Sequence, residues 1–177
     1  MSIRFGPIFH VGYAVPDIDS AMAYMTRTMG IGPFFLERHT TGDNEAYTYR
    51  GHPIRQDVMV AHAFTGELDI ELICPLSEGP SPTNDFLARH PEGGIQHLGV
   101  LIDSEKWDST LADPEVKSRL VLEGHSGDIR LAFMDGFPMG ATALELIEAT
   151  PSIRGKFERL KQLCNAWDGS DPVRGKK

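Results

Sequence analysis

The sequence predicts an α+β fold of two tandem βαβββ modules followed by a C-terminal helix, and three observations carry that prediction. The motif His10-Val11-Gly12 recurs as His97-Leu98-Gly99. Each copy is followed downstream by the same closing motif, Ile70-Glu71-Leu72-Ile73 after the first and Leu144-Glu145-Leu146-Ile147 after the second. Between opening and closing motifs the apolar pattern passes from alternation to helical spacing and back, which gives the order strand, helix, three strands.

Residues 8–15 alternate as a strand, with His10, Gly12 and Ala14 on one face and Phe9, Val11, Tyr13 and Val15 on the other. The second face requires a covering helix. Pro16 ends the strand, Asp17 or Asp19 supplies a cap, and Ile18, Met22, Met25 and Met29 recur at helical spacing until Gly30. The methionine stripe reads as core packing. Residues 34–38 form a second strand, followed by a polar excursion through Asp43-Asn44 to Tyr47 and Tyr49 and a turn at Gly51-His52-Pro53, which together predict an extended hairpin. Strands at 57–64 and 68–74 meet at Thr65-Gly66, and the later one puts Glu71 on a face with Asp69 and Ile73.

Residues 75–94 turn to Ser, Pro, Gly and Asn and read as a connection with one short helix at 84–89. Gly93-Gly94 then release the chain into a strand at 95–102, where His97, Gly99 and Leu101 share a face. A helix at 104–111, anchored by Trp107 and Leu111, and strands at 120–124, 129–134 and 142–149 repeat the first architecture in shorter form. After Pro151, residues Ile153, Phe157, Leu160, Cys164 and Trp167 fall on one helical face, which packs on the body or on a partner subunit. The polar residues 170–177 are expected to fray. The division is therefore a first module at 1–76, a linker at 77–94, a second module at 95–150, and a helix and tail at 151–177.

Composition narrows the function. The chain has 177 residues, 41% of them hydrophobic, enough for a core without disulfides. Cys74 and Cys164 form no close-spaced redox or metal motif and read as buried thiols of a cytoplasmic protein. The N-terminus lacks a secretory pattern, and no apolar run approaches the length of a membrane span. A net charge of -8 argues against nucleic acid and anionic membranes as partners and leaves a small molecule.

Four side chains, His10, Glu71, His97 and Glu145, interrupt apolar strands on the faces opposite the helices. A buried carboxylate is costly unless paired or metal-bound, and two together oppose joint ionisation. One divalent cation resolves both problems. Each residue alone also fits a hydrogen-bonded core position, but two His and two Glu at equivalent places in two copies are hard to obtain independently.

The two halves resemble the paired modules of the vicinal oxygen chelate superfamily, which includes glyoxalase I, methylmalonyl-CoA epimerase, extradiol dioxygenases and bleomycin-resistance proteins. The run Glu71-Leu72-Ile73-Cys74-Pro75-Leu76, Ser81-Pro82, Asp85-Phe86-Leu87 and Gly93-Gly94-Ile95-Gln96-His97 is similar in order and spacing to the methylmalonyl-CoA epimerases. The likeness runs from about residue 7 to 149. It departs from the epimerase pattern at Gly124-His125-Ser126-Gly127 and Met134-Asp135-Gly136. The resemblance implies a curved mixed sheet around a metal-containing cavity, His10, Glu71, His97 and Glu145 as ligands of one Zn, Ni, Co, Mn or Fe ion per chain, and a homodimer.

It further implies an isomerase, epimerase or lyase that abstracts a proton beside a metal-chelated carbonyl, with Glu145 the first candidate base and Glu71 the second. Tyr47, Tyr49 and Arg55 of the hairpin are candidate substrate-binding residues, Arg55 for a carboxylate or phosphate. His52 reads as part of a solvated hairpin. Two other readings are an Fe(II) extradiol-type dioxygenase, which a fourth ligand at Glu71 disfavours, and an antibiotic-type binding protein, which would have no need of all four ligands.

Overall fold

The computed structural model describes residues 5–43, 45–135 and 143–175, so that the expectations placed on Asn44, Gly136 and Thr142 and at the two chain ends fall outside the described residues. The first strand, β1 (Ile8–Ala14), leads to helix α1 (Ile18–Tyr24), where the Ser20 N–H donates to the side chain of Asp17 at the N-cap. The helix continues as a π turn at Met25–Met29 and stops at Gly30, which has φ of 68°. The wider turn breaks the methionine stripe: Met22 and Met25 are buried, whereas Met29 is exposed.

Next come β2 (Phe34–Thr40), the hairpin β3 (Ala46–Tyr49) and β4 (His52–Ile54), β5 (Asp57–Thr65), β6 (Leu68–Pro75) and α2 (Pro82–Arg89). The second half contains β7 (Gly94–Asp103), α3 (Ser104–Ala112), an unanticipated short α4 (Pro114–Lys117), β8 (Leu120–Ser126), β9 (Ile129–Met134) and β10 (Ala143–Ala149). Helix α5 (Pro151–Asn165) and a short β11 (Val173–Gly175) complete the chain. Among the described residues no helix is long and apolar enough to cross a membrane.

The strands form one curved, unclosed sheet in the order β11-β2-β5-β6-β1-β7-β10-β9-β8-β3-β4. Its centre is an antiparallel pair, β1 with β7, and each of these strands lies parallel to the closing strand of its own half, β1 to β6 and β7 to β10. The order is therefore mirrored about the centre. Alternation then sends each strand's apolar set to the helix side: Ile70, Leu72 and Cys74 pack with Ile18 and Met22, while Val100, Ile102, Leu144 and Leu146 pack with Trp107 and Val116. The opposite faces carry His10, Glu71, His97 and Glu145, and of these four Glu71 and Glu145 line the cavity on the concave side.

Two strand pairings were not foreseen, and a third feature decides between the two surfaces left open for the terminal helix. The β3–β4 hairpin, from the first half in sequence, pairs with β8 of the second, Ala46 opposite His125 and Tyr49 opposite Leu122. The tail does not fray throughout: Val173–Gly175 pairs in parallel with β2 and covers that edge. Helix α5 packs on its own chain, with Ile153, Leu160 and Cys164 buried and the Phe157 ring 5.0 Å from Phe9 and 5.8 Å from His62.

Candidate metal centre

The register of β1 against β7 builds the site. His10 lies opposite Gly99 and Gly12 opposite His97. A Cβ on Gly12 would stand 1.9 Å from the His97 ring, and one on Gly99 would stand 2.3 Å from that of His10. Each imidazole therefore occupies the space that its opposite glycine leaves empty. Both rings are fully buried, and their Nε2 atoms face each other at 2.9 Å. Parallel pairing then brings Glu71 beside Gly12 and Glu145 beside Gly99.

Four potential ligand atoms, one from each residue, lie within 4.8 Å of one another. Glu145 Oε2 is 2.9 Å from His10 Nε2 and 3.4 Å from His97 Nε2, while Glu71 Oε2 is 3.0 Å from His97 Nε2 and 4.0 Å from His10 Nε2. Ligands about 2.1 Å from one cation stand about 3.0 Å apart at right angles and about 3.4 Å apart in a tetrahedron. The spacings fit a shared ion. The polar accounting agrees, because Glu71 Oε2 and Glu145 Oε2 are buried and accept no well-formed hydrogen bond, and two nitrogens in contact share at most one proton. His97 Nδ1 donates to Gln96 Oε1 at 2.5 Å, so that in the neutral ring the Nε2 lone pair is the one directed at the cluster.

The electrostatics are those of imidazoles packed with carboxylates. Burial alone would lower the pKa of His97, but Glu145 and Glu71 overcome it and carry it to about 10. Burial raises both carboxyls, yet the imidazoles reverse this and hold Glu71 and Glu145 below the usual range, His97 acting first on Glu71 and His10 first on Glu145. Two residues outside the predicted set join them. His62 Nδ1 is 2.9 Å from Asp69 Oδ2, and His62 Nε2 is 3.6 Å from Glu71 Oε1. Burial depresses His62, and Asp69 and then Glu71 raise it to about 9.

The concavity holds a cavity of about 190 Å³ with an apolar wall that includes Val60, Ile73, Leu122, Leu131 and Phe133. Glu71, Glu145, His39, His62 and Tyr47 supply polar lining. The Tyr47 hydroxyl is 3.3 Å from His39 Nε2, and burial, followed by Glu45, pushes its pKa up to about 12. Of the three predicted substrate-binding residues, the structure brings only Tyr47 to this cavity. Tyr49 and Arg55 line a different concavity, where the Tyr49 hydroxyl donates to Asp85 at 2.8 Å and Arg55 lies 3.3 Å from Asp43. His62 and Asp69 carried no repeat in the sequence to mark them.

Residues 9–133 match the Glyoxalase/Bleomycin resistance protein/Dioxygenase superfamily. The chain belongs to this superfamily. A curated relative, the ethylmalonyl-CoA/methylmalonyl-CoA epimerase of Cereibacter sphaeroides, is 33% identical over 93 residues, or 52% of this chain and 58% of the relative. The match thus spans little more than half the length of that relative. Two solved structures show the same fold. A methylmalonyl-CoA epimerase from Mycobacterium tuberculosis has a TM-score of 0.60 at 24% identity, covering 88% of this chain and 97% of that one. A Streptomyces coelicolor methylmalonyl-CoA epimerase variant in complex with 2-nitronate-propionyl-CoA has a TM-score of 0.56 at 22% identity, covering 83% and 96%.

Proposed function

We propose that this superfamily member is a metal-dependent epimerase or isomerase that moves a proton at the carbon beside a carbonyl of a small acid or acyl thioester. The observation that carries the reading is the meeting of two carboxylates and two imidazoles at the inner wall of a largely apolar cavity. The epimerase relative supports the reaction class. His10, Glu71, His97 and Glu145 would hold one divalent ion, which would polarise the carbonyl and stabilise the charge left when the neighbouring proton departs.

The division of labour follows from position. The imidazoles are fully buried and off the cavity surface, whereas both carboxylates line the cavity. Glu145 takes the proton from carbon, and the bonding electrons pass to the carbonyl. Glu71, on the strand from the other half, is the second candidate. Return of a proton to the opposite face inverts the carbon, and the apolar wall keeps water from competing. Tyr47 supplies a hydroxyl at the cavity wall.

Deuterium wash-in from heavy water tests the reading. With metal-loaded protein and a set of 2-acyl acids and thioesters, one substrate should acquire deuterium at the carbon beside the carbonyl. Glu145→Gln should reduce that exchange by roughly 10²- to 10⁴-fold, the range for a removed general base. Substrate-dependent oxygen uptake without exchange would instead identify a dioxygenase.

A further inference from the structure

The mirrored halves allow the candidate centre to be compared with itself, and the residues behind the repeated ligand candidates differ between them. In the first half, β6 places Asp69 opposite His10 and β5 places His62 opposite Glu71. The equivalent register in the second half places Ala143 opposite His97 and Phe133 opposite Glu145. The four ligand candidates are thus repeated, whereas the pair behind them is His62 and Asp69 on one side and Phe133 and Ala143 on the other.

From this difference we infer that His62 and Asp69 are positioning residues that orient the first-half ligands, Glu71 and His10, toward the metal, an inference that rests on the metal reading above. Asp69 is fully buried, with Oδ2 hydrogen-bonded to His62 Nδ1 at 2.9 Å and standing 3.9 Å from His10 Nδ1, beyond hydrogen-bond length. His62, with its Nδ1 held in this way, turns Nε2 toward Glu71 Oε1, the carboxylate oxygen that is not among the closest contacts of the imidazole cluster. His10 Nδ1 is buried without a hydrogen-bond partner, and a ligand histidine ordinarily directs its second nitrogen at a carboxylate or carbonyl, a place that Asp69, 3.9 Å away, would fill by a small shift. In the second half Gln96 performs that task for His97 through its 2.5 Å contact, and Phe133 packs its ring 5.0 Å from His97. Glu145 therefore has an apolar neighbour where Glu71 has a polar one. His62 and Asp69 make the two carboxylates chemically unequal within a symmetric frame.

Co(II) binding to the full chain tests this without reference to turnover. The double variant His62→Phe with Asp69→Ala gives the first half the pair that the second half carries. It should still bind Co(II), with affinity lowered by about 10- to 100-fold, the usual cost of losing outer-shell partners, and with a changed visible absorption spectrum. His62→Gln, which keeps an amide donor for Glu71, should recover part of the affinity, and it provides the test if the double variant does not fold. Leu160→Ala, a packing change in α5, should lower stability and leave the Co(II) affinity and spectrum as they are. Wild-type affinity and spectrum in both His62 variants would overturn the positioning role alone. Failure of the wild-type chain to take up Co(II) would overturn the metal reading, and this inference with it.

Discussion

Two histidine rings fit side by side in the centre of the sheet because the residues across from them have no side chain. Gly12 and Gly99 are needed for space rather than for backbone conformation, since neither has the positive φ that distinguishes Gly30 or Gly66. Gly12→Ala should therefore displace the His97 ring, and Gly99→Ala that of His10. Each change should cost about 1–3 kcal/mol of stability from overpacking and weaken metal binding by tenfold or more, read by thermal melts and metal titration. The histidines and glutamates were legible because each sits at the same place in two copies of one motif. The glycines stood in the same motif, but their purpose was not, because alternation along a strand says which face a residue takes and not what it meets across the ladder. His62 was less legible still. A lone histidine in an apolar strand looks like any hydrogen-bonded core residue, and its counterpart is Phe133.

Among the elements, α5 shows how far a periodic pattern carries. Its apolar stripe and Pro151 start give the helix from sequence alone, and the structure adds a cap, the Thr150 hydroxyl accepting from Ile153 N–H at 3.2 Å. What the stripe cannot give is the surface it meets. That surface is chiefly β5: the Phe64 N–H donates to Cys164 Sγ at 3.2 Å, and Leu160 joins the core cluster that includes Ala61 and Ala63. Leu160→Ala should therefore destabilise the folded chain by about 2–4 kcal/mol, measurable by urea unfolding, because a largely buried side chain leaves a void. The cover over the β2 edge was not legible. β2 needed protection, but that three residues of the tail, Val173–Gly175, would supply it depends on where α5 delivers the chain.

At the scale of the molecule, the proposed ion would join strands from both halves, with His10 and Glu71 on one side and His97 and Glu145 on the other. It should therefore stabilise the whole fold rather than one half. Metal at about 100 times its dissociation constant adds about 2.7 kcal/mol. For a chain of this size that is a rise in melting temperature of roughly 5–10 °C, seen on adding Co(II) or Ni(II) and reversed by a chelator. The hairpin at residues 46–54 ties the halves together in a different way. Its strand β3 finds its hydrogen-bonding partner in β8, with Thr48 and Glu123 separated by 75 positions along the chain. Contacts of that separation are slow to close. During synthesis, then, the first half emerges with Tyr47 and Tyr49 lacking their eventual strand neighbour, and the cavity gains that wall only after β8 has been made. Although the sequence is written as two copies, neither copy can finish its own folding.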